Sequence, residues 1–344
     1  MSLWCAPLMS SKFASALFAL LFFLAGCAAP ASRPQSMADM HVVARDDAFA
    51  LVRLKHGQTL DDVARIFLGH AREAWQISEV NAATGAAAGD VLAVPLRPAN
   101  ISSVYIDGFR NVPILCYHQF TDASRASHQL ELSAAVFEQQ LRYLLDNGYA
   151  LLTFAELESI LNSGRPVPEK SAIVSIDDGY RSVYDVAWPI LRRYGVPATL
   201  FIYTDFIGAP AAMTWDQLRE MADSGLIEVQ SHGKSHTSLA RLSHDASDAD
   251  YSRRVREEIR GSNAVFRKRL GSAPVYLSYP YGDSSDTAAR IAREEGMRLA
   301  ATVTRGDNPV YAPPHFLHRS MIYSQHDMAD FKRLLRTFTP ISLP

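Results

Sequence analysis

The run Ala172-Ile173-Val174-Ser175-Ile176, followed at once by Asp177-Asp178-Gly179, decides how the rest of the chain is read. It reads as a buried strand, apolar and β-branched, bounded by a glycine turn. Two adjacent carboxylates at its end are expensive to desolvate unless something compensates them. Outward from this run, strand-like segments recur at Pro113–Tyr117, Ala198–Tyr203, Ile227–Gln230, Val275–Ser278, Leu299–Val303 and Phe316–Ile322. Helical patterns lie between them at Ser133–Asn147, Val183–Arg193, Trp215–Ala222, Tyr251–Leu270 and Thr287–Glu295. Ser133 is positioned to cap the first of these, whose apolar face holds Val136, Leu141, Leu144 and Leu145. Gly148 and Gly195 follow two helices where a left-handed cap belongs. The alternation over residues 112–344 predicts an α/β fold, an irregular (β/α)7-type parallel barrel rather than an open sheet. In such a barrel, chemistry collects at the C-terminal ends of the strands.

A second strand end carries matching chemistry. Ile227–Gln230 runs into Ser231-His232-Gly233-Lys234-Ser235-His236. If the chain enters a helical turn there, His232 and His236 project from one side, one turn apart. With one of the two aspartates they make a facial N,N,O ligand set that leaves positions open for water and substrate. The other aspartate is then free to act as a base. Asp-Asp-Gly alone reads as a turn and His-x-x-x-His alone as a surface pair. Their joint occurrence at two strand ends of one barrel points to a metal centre. A third rim residue is His118, at the end of Pro113-Ile114-Leu115-Cys116-Tyr117.

Three segments resemble successive motifs of the polysaccharide deacetylase family, the family 4 carbohydrate esterases. They are Ser175-Ile176-Asp177-Asp178-Gly179-Tyr180, Ser231 through His236, and Tyr279-Pro280-Tyr281-Gly282. Tyr194 through Phe201 and Trp215-Asp216-Gln217-Leu218 fit as well, so the resemblance spans about Val112 to Tyr323. It implies that Asp178, His232 and His236 bind a divalent metal, zinc by expectation. It implies Asp177 as general base and the backbone N–H of Tyr281 as an oxyanion donor. The arginine that often stands two residues before the proline of the third motif is replaced here by Ser278, and the late Asp-and-Trp motif has no match beyond Asp307. Pro113 through His118 resembles the first strand of the poly-N-acetylglucosamine deacetylase branch, in which a histidine at this strand end serves as the acid. His118 is therefore expected to protonate the leaving amine. The rival is His318, where Leu317 adjoins the histidine; in a strand that spacing sends it to the opposite face.

The N-terminal third reads differently. Lys12 precedes the apolar run Phe13–Leu24, which is shorter than the roughly 20 residues a membrane-spanning helix needs and fits the apolar region of an export signal. Leu24-Ala25-Gly26-Cys27 resembles the lipobox of bacterial lipoproteins, so residues 1–26 are expected to be removed and Cys27 lipidated. Ala28 after the cysteine implies delivery to the outer membrane, on its periplasmic face, in a two-membrane bacterium. Residues 27–47 read as a flexible tether and 98–111 as a linker. Between them, residues 48–97 predict strand, helix, helix, strand, with Thr59 capping a helix through Phe67. Gly57 through Leu60, Ala64, Phe67-Leu68-Gly69, Trp75, Asn81 and Gly89 through Pro95 resemble the LysM module, which binds glycans containing N-acetylglucosamine.

Composition bounds the function. The chain has 344 residues, a formal net charge of −2 and 48% apolar residues, which offers nothing to a nucleic-acid partner. Arg253, Arg254, Arg256, Glu257 and Glu258 read as a solvated helix face. Cys116 alone remains after loss of Cys5 and lipidation of Cys27, so no disulfide holds the domain and Cys116 reads as a small core residue. The expected activity is metal-dependent hydrolysis of N-acetyl groups from a polysaccharide rich in N-acetylglucosamine, either an exopolysaccharide or peptidoglycan. The alternatives are a non-catalytic cell-wall-binding lipoprotein and a metal amidase or esterase acting on a small or lipid-linked substrate.

Overall fold

The computed structural model describes residues 36–81, 86–96, 100, 102–163 and 167–341. The export signal and Cys27 lie outside the described residues. The chain divides into two compact units between Arg97 and Pro98.

In the first unit β1 (His41–Arg45), β2 (Phe49–Arg53) and β3 (Val91–Pro95) form an antiparallel sheet in that order. Helices α1 (Leu60–Phe67) and α2 (Ala74–Val80) complete it, and Ala50, Val52, Val63, Ala64, Ile77, Leu92 and Val94 form its core. Thr59 caps α1 reciprocally with Asp62, whose carboxylate accepts the Thr59 N–H at 3.0 Å. Asn81 joins α2 to β3, donating from Nδ2 to the Ile77 and Ala93 carbonyls and accepting the Ala93 N–H at 2.9 Å. The tether expected over 27–47 is corrected here, because residues 41–45 are strand β1. Asp46 Oδ1 accepts the N–H groups of Ala48 and Phe49, both at 2.7 Å, and this turn returns the β-branched run Val42-Val43 onto β2.

The linker expected over 98–111 is also corrected. Strands β4 (Val104–Tyr105) and β5 (Gly108–Arg110) pair with each other, and Phe338–Pro340 pairs with β5. Tyr105 and Phe338 hold this small sheet together with ring centroids 6.1 Å apart.

The large sheet follows. In chain order it uses β6 (Ile114–Tyr117), the short pair β7 (Gln119–Thr121) and β8 (Glu131–Ser133), α3 (Ala134–Asp146), β9 (Ala150–Leu152), α4 (Phe154–Ser163), β10 (Ser171–Asp178), α5 (Trp188–Tyr194), β11 (Ala198–Ile202), α6 (Trp215–Asp223), β12 (Ile227–Ser231), α7 (Asp248–Leu270), β13 (Tyr276–Ser278), α8 (Asp286–Glu294), β14 (Leu299–Ala301), β15 (Ser320–Met321) and α9 (Met328–Arg333). The strand order is β14-β13-β12-β11-β10-β6-β15, every pairing parallel, with β9 joining β10 off that path. The ring closes through residues 317–319. Leu317 N–H donates to the Ala300 carbonyl at 3.0 Å, Thr302 N–H to Leu317 at 2.8 Å and Arg319 N–H to Thr304 at 3.1 Å. The strand expected over Phe316–Ile322 is thus a three-residue seam followed by a two-residue ladder. Pro313 and Pro314, just before it, have no N–H to extend pairing.

The other expected strands and helices are present within a few residues. Ser133 caps α3, and Gly148 and Gly195 take φ of 72° and 63°. Val183–Arg193 is not one uniform helix: Val183–Ala187 is a π-helical stretch that tightens into α5 where Pro189 lacks the N–H an α-helical turn needs. Strand β9 and helix α4 were not marked by any sequence pattern read above.

Alternation along β10 sorts its side chains between two environments. Ala172, Val174 and Ile176 face the surrounding helices and pack with Leu141, Leu144, Leu191 and Met221. Ile173 points into the barrel, whose floor is an apolar plug of Ile114, Phe154, Phe201, Tyr276 and Leu317. Ser175 and Asp177 follow on the same inward face, one layer and two layers above that floor.

Candidate active site

Inward alternation delivers Asp177 to the barrel interior, and it would send Asp178 to the helix side with Ile176. The backbone prevents this. Asp178 takes φ of 76° and Gly179 φ of 96°, so the chain turns and both carboxylates reach one cavity end. A side chain at Gly179 would meet Ile207 Cδ1 at 2.7 Å, so only glycine completes the turn. Among the described non-glycine residues, positive φ occurs at Asp178, His236, Tyr281 and, elsewhere, Ser103. Left-handed backbone at a residue with a Cβ costs about 1–3 kcal/mol each, so this strain is concentrated at the expected site.

The structure brings Asp178, His232 and His236 together. One ligand atom from each lies within 4.8 Å of the others. Asp178 Oδ1 stands 3.6 Å from His232 Nε2 and 3.3 Å from His236 Nε2. That oxygen is buried and has no hydrogen-bond partner among the described residues. An orphaned carboxylate oxygen facing two imidazole nitrogens is the donor set of a divalent cation, so these residues fit the metal. Ser278 fixes His232 from behind, its carbonyl 2.8 Å from Nδ1, an arrangement that aims Nε2 at the carboxylates. Burial holds the His232 imidazole below its usual pKa, against the pull of Asp177 and Asp178.

The loop between the two histidines is held by Glu258 of α7. Its Oε2 accepts the N–H groups of Lys234 and Ser235 at 3.0 and 2.9 Å, and its Oε1 accepts the Ser235 hydroxyl at 2.7 Å. The solvated helix face expected around Arg253–Glu258 is therefore corrected at two positions. Glu258 turns toward the site, and Arg254 is largely buried, donating to Asp245 and to the Ser238 and Ala240 carbonyls. Spacing alone does not separate these residues from their exposed neighbours Arg253 and Glu257.

Asp177 sits beside this cluster, 1% exposed. The arginine missing at position 278 is supplied by Arg319, fully buried in the barrel. Its guanidinium donates to Oδ1 at 2.7 Å and to Oδ2 at 2.6 Å, a bidentate pair, and also to the Ser278 hydroxyl at 2.7 Å. Ser278 in turn donates to Asp177 Oδ2 at 3.2 Å. Burial pushes the Asp177 carboxyl up, but Arg319, with His232 behind it, overrides burial and holds it well below the usual carboxylate range. Sequence reading missed Arg319. The available signal was its place next to His318 in the last predicted strand, since facing outward at 318 implies facing inward at 319.

The two candidate acids separate cleanly. His118 is nine-tenths buried and lies at the level of Asp177, because Ile176 pairs with Tyr117 in the parallel register. One of its ring nitrogens belongs to a cluster with Cys116 Sγ and an Asp177 oxygen within 4.8 Å. Burial lowers its pKa, partly offset by Asp177 and Asp178. His318 is turned away, its ring so close to Gly306 that a Cβ there would lie 2.1 Å from Nδ1. Its backbone is bonded on both sides by the Asn308 amide. Asp307 is committed to Arg336 and Thr339. Cys116 is a buried free thiol, as expected of a core residue, but it points at Asp177 Oδ2 from 3.6 Å.

Tyr281 forms the rim. Its ring lies 4.5 Å from the His236 ring and is 63% exposed. The turn around it is closed by Gly282 N–H to Tyr279 at 2.8 Å and Asp283 N–H to Pro280 at 3.1 Å. Tyr203, stacked on Phe206 at 5.0 Å and 4.9 Å from His236, completes an aromatic edge. Burial and the nearby Asp178 push the Tyr203 hydroxyl up to about 12, so it stays a neutral donor.

Comparison with known proteins agrees with this geometry. Residues 164–300 match the family described as polysaccharide deacetylase. The chain is 30% identical over 212 residues to YxkH of Bacillus subtilis, a protein named for the polysaccharide deacetylases, covering 60% of this chain and 70% of that one. It is 24% identical over 226 residues to the poly-β-1,6-N-acetyl-D-glucosamine N-deacetylase of Escherichia coli, covering 56% of this chain and 34% of that enzyme, about a third of its length. The structure of IcaB from Ammonifex degensii superposes with a TM-score of 0.57 at 27% identity, covering 66% of this chain and 97% of that one. Fold, convergent carboxylates and histidines, and sequence similarity agree: the chain belongs to the polysaccharide deacetylase family.

Proposed function

We propose that this chain hydrolyses N-acetyl groups from a polysaccharide containing N-acetylglucosamine, of the poly-β-1,6-linked kind named for its Escherichia coli relative. The observation that carries the reading is the meeting of Asp178, His232 and His236 beside an Asp177 held charged by Arg319. A divalent cation held by the three ligands, zinc in this reading, supplies Lewis acidity to the acetyl carbonyl and lowers the pKa of water. Asp177 orients the attacking water and takes its proton. Arg319 makes Asp177 a weak base, so the proton does not rest there; it passes to His118, within 4.8 Å. His118 delivers it to the nitrogen as the C–N bond breaks, leaving acetate and a free amine. The Tyr281 N–H, in its left-handed turn, donates to the oxyanion.

The test is acetate release from poly-β-1,6-N-acetylglucosamine and from peptidoglycan by one preparation. Release from the first supports the reading, release from peptidoglycan alone transfers the substrate, and release from neither overturns it. His118→Ala is expected to lower turnover by about 100-fold or more while bound metal is unchanged; His318→Ala should leave turnover intact. The reverse pattern assigns the acid to His318. Glu258→Ala is expected to lower cation affinity by about 10–100-fold with the melting transition retained. Equal affinity by metal titration would remove Glu258 from the positioning of His236.

The first unit supports a glycan-binding role of the LysM kind through the strand–helix–helix–strand order of β2, α1, α2 and β3, to which β1 adds a further strand. The Leu24-Ala25-Gly26-Cys27 segment supports export and lipid anchoring, to the outer membrane's periplasmic face in a two-membrane bacterium. Cys27→Ser is then expected to move the protein from the membrane fraction to the soluble exported fraction. Retention in the membrane fraction would contradict the anchor.

A further inference from the structure

Beside the ligand group already described lies a second one that the proposed mechanism does not use as a set. Cys116 Sγ, one His118 ring nitrogen and one Asp177 oxygen lie within 4.8 Å of one another. Their convergence follows from the fold. Cys116 and His118 are two apart on β6 and so share its inward face, and the parallel register sets Asp177 beside His118. The Asp177 carboxylate offers about four acceptor positions. Arg319 uses two and Ser278 a third. The remaining contacts are the Cys116 thiol at 3.6 Å and His232 Nε2 at 3.7 Å. His118 Nδ1 is buried with no partner among the described residues, in a residue only 9% exposed. A thiol, a free imidazole nitrogen and a carboxylate oxygen form a soft-to-borderline donor set, suited to thiophilic d10 cations.

We propose that Cys116, His118 and Asp177 bind a second, thiophilic divalent cation such as Cd2+ or excess Zn2+, and that this cation inhibits the enzyme. Binding replaces the thiol proton: the S–H bond breaks, the S–metal bond forms, and the proton leaves to solvent. The inhibitory half rests on the roles proposed above, because the cation occupies the base and the acid together. Occupancy itself does not rest on those roles.

The full-length protein, loaded with one equivalent of divalent metal, is titrated with Cd2+ while the sulfur-to-cadmium charge-transfer absorption is followed. The expected result is a band in the wild type that is lost in Cys116→Ser, a difference that isolates this sulfur from Cys5 and Cys27. His232→Ala should keep the band, because it removes no ligand of the second group. The cadmium concentration that halves acetate release should rise at least about tenfold in Cys116→Ser, the lower end of what even an outer partner of a metal site is worth. No Cys116-dependent band in the wild type overturns the site. A Cys116-dependent band with inhibition unchanged in Cys116→Ser overturns only the inhibitory half. A band with no acetate release from any polymer leaves the cation site standing and removes the proposed function instead. If Cys116→Ser folds poorly, the Cys5→Ser/Cys27→Ser variant keeps the proposal testable, because Cys116 is then the chain's one thiol and the absence of a band there overturns the site.

Discussion

Replacing Arg319 with methionine is expected to abolish acetate release and to lower stability by about 3–5 kcal/mol, the usual effect of leaving a buried charge without its partner. Methionine keeps the unbranched length but offers no donor, so the Asp177 carboxylate loses two charge-assisted hydrogen bonds at once. The pH dependence of stability carries the sharper signature. In the native protein the Asp177 pKa is depressed, so the unfolded chain binds this proton more tightly than the folded one. Its contribution is present above the ordinary aspartate value of about 4 and is lost as pH falls toward the folded value. In Arg319→Met the main counterweight to burial is gone and burial raises the same pKa. Stability from this group then falls as pH rises above the ordinary aspartate value. Urea denaturation should therefore show wild-type stability rising with pH up to about 4 and level for this group above it, whereas Arg319→Met should lose stability as pH rises past that value; parallel profiles would show that Arg319 does not set the Asp177 charge.

Substituting either imidazole of the ligand group should have the next largest effect. His232→Ala and His236→Ala each remove one of three protein ligands and are expected to strip both metal and activity while the barrel stays folded. The neighbouring aspartates should divide. Asp178→Asn weakens metal retention, whereas Asp177→Asn keeps the metal and loses turnover. Metal analysis after dialysis, alongside acetate release, reads both. Full metal content in His232→Ala or His236→Ala, or equal metal loss in the two aspartate variants, would dissolve the assignment of roles.

The barrel was legible in the sequence because most of its strands, β10 and β11 above all, are buried on both faces and read as largely apolar runs, and because serine and glycine mark the helix ends. Asp177, Asp178, His232 and His236 were legible because each follows such a run. What escaped was whatever depends on contacts far apart in sequence. Arg319 reaches Asp177 across 142 positions; alternation with His318 turns it inward, but nothing local names Asp177 as its partner. Glu258 sits in a charged helix whose exposed and inward positions look alike by composition. The tether and the linker conceal strands for two reasons: the Val42-Val43 run of β1 is brief among polar residues, and the two-residue β4 is a strand by virtue of its pairing with β5.

The closing seam of the barrel ties folding dynamics to chemistry. Residues 317–319 complete the ring through three backbone hydrogen bonds, and the last of them belongs to Arg319 itself. Short pairings of this kind open at lower free energy than long central ladders, so amide exchange at Leu317, Arg319 and Thr302 should outpace exchange along β10. The guanidinium is held separately, by Asp177, Ser278 and the Thr302 carbonyl, so an opening parts the charged pair only when it spreads from the backbone to the side chain. A substitution remote from the cavity that loosens this seam enough for that to happen is expected to lower turnover without touching a catalytic atom.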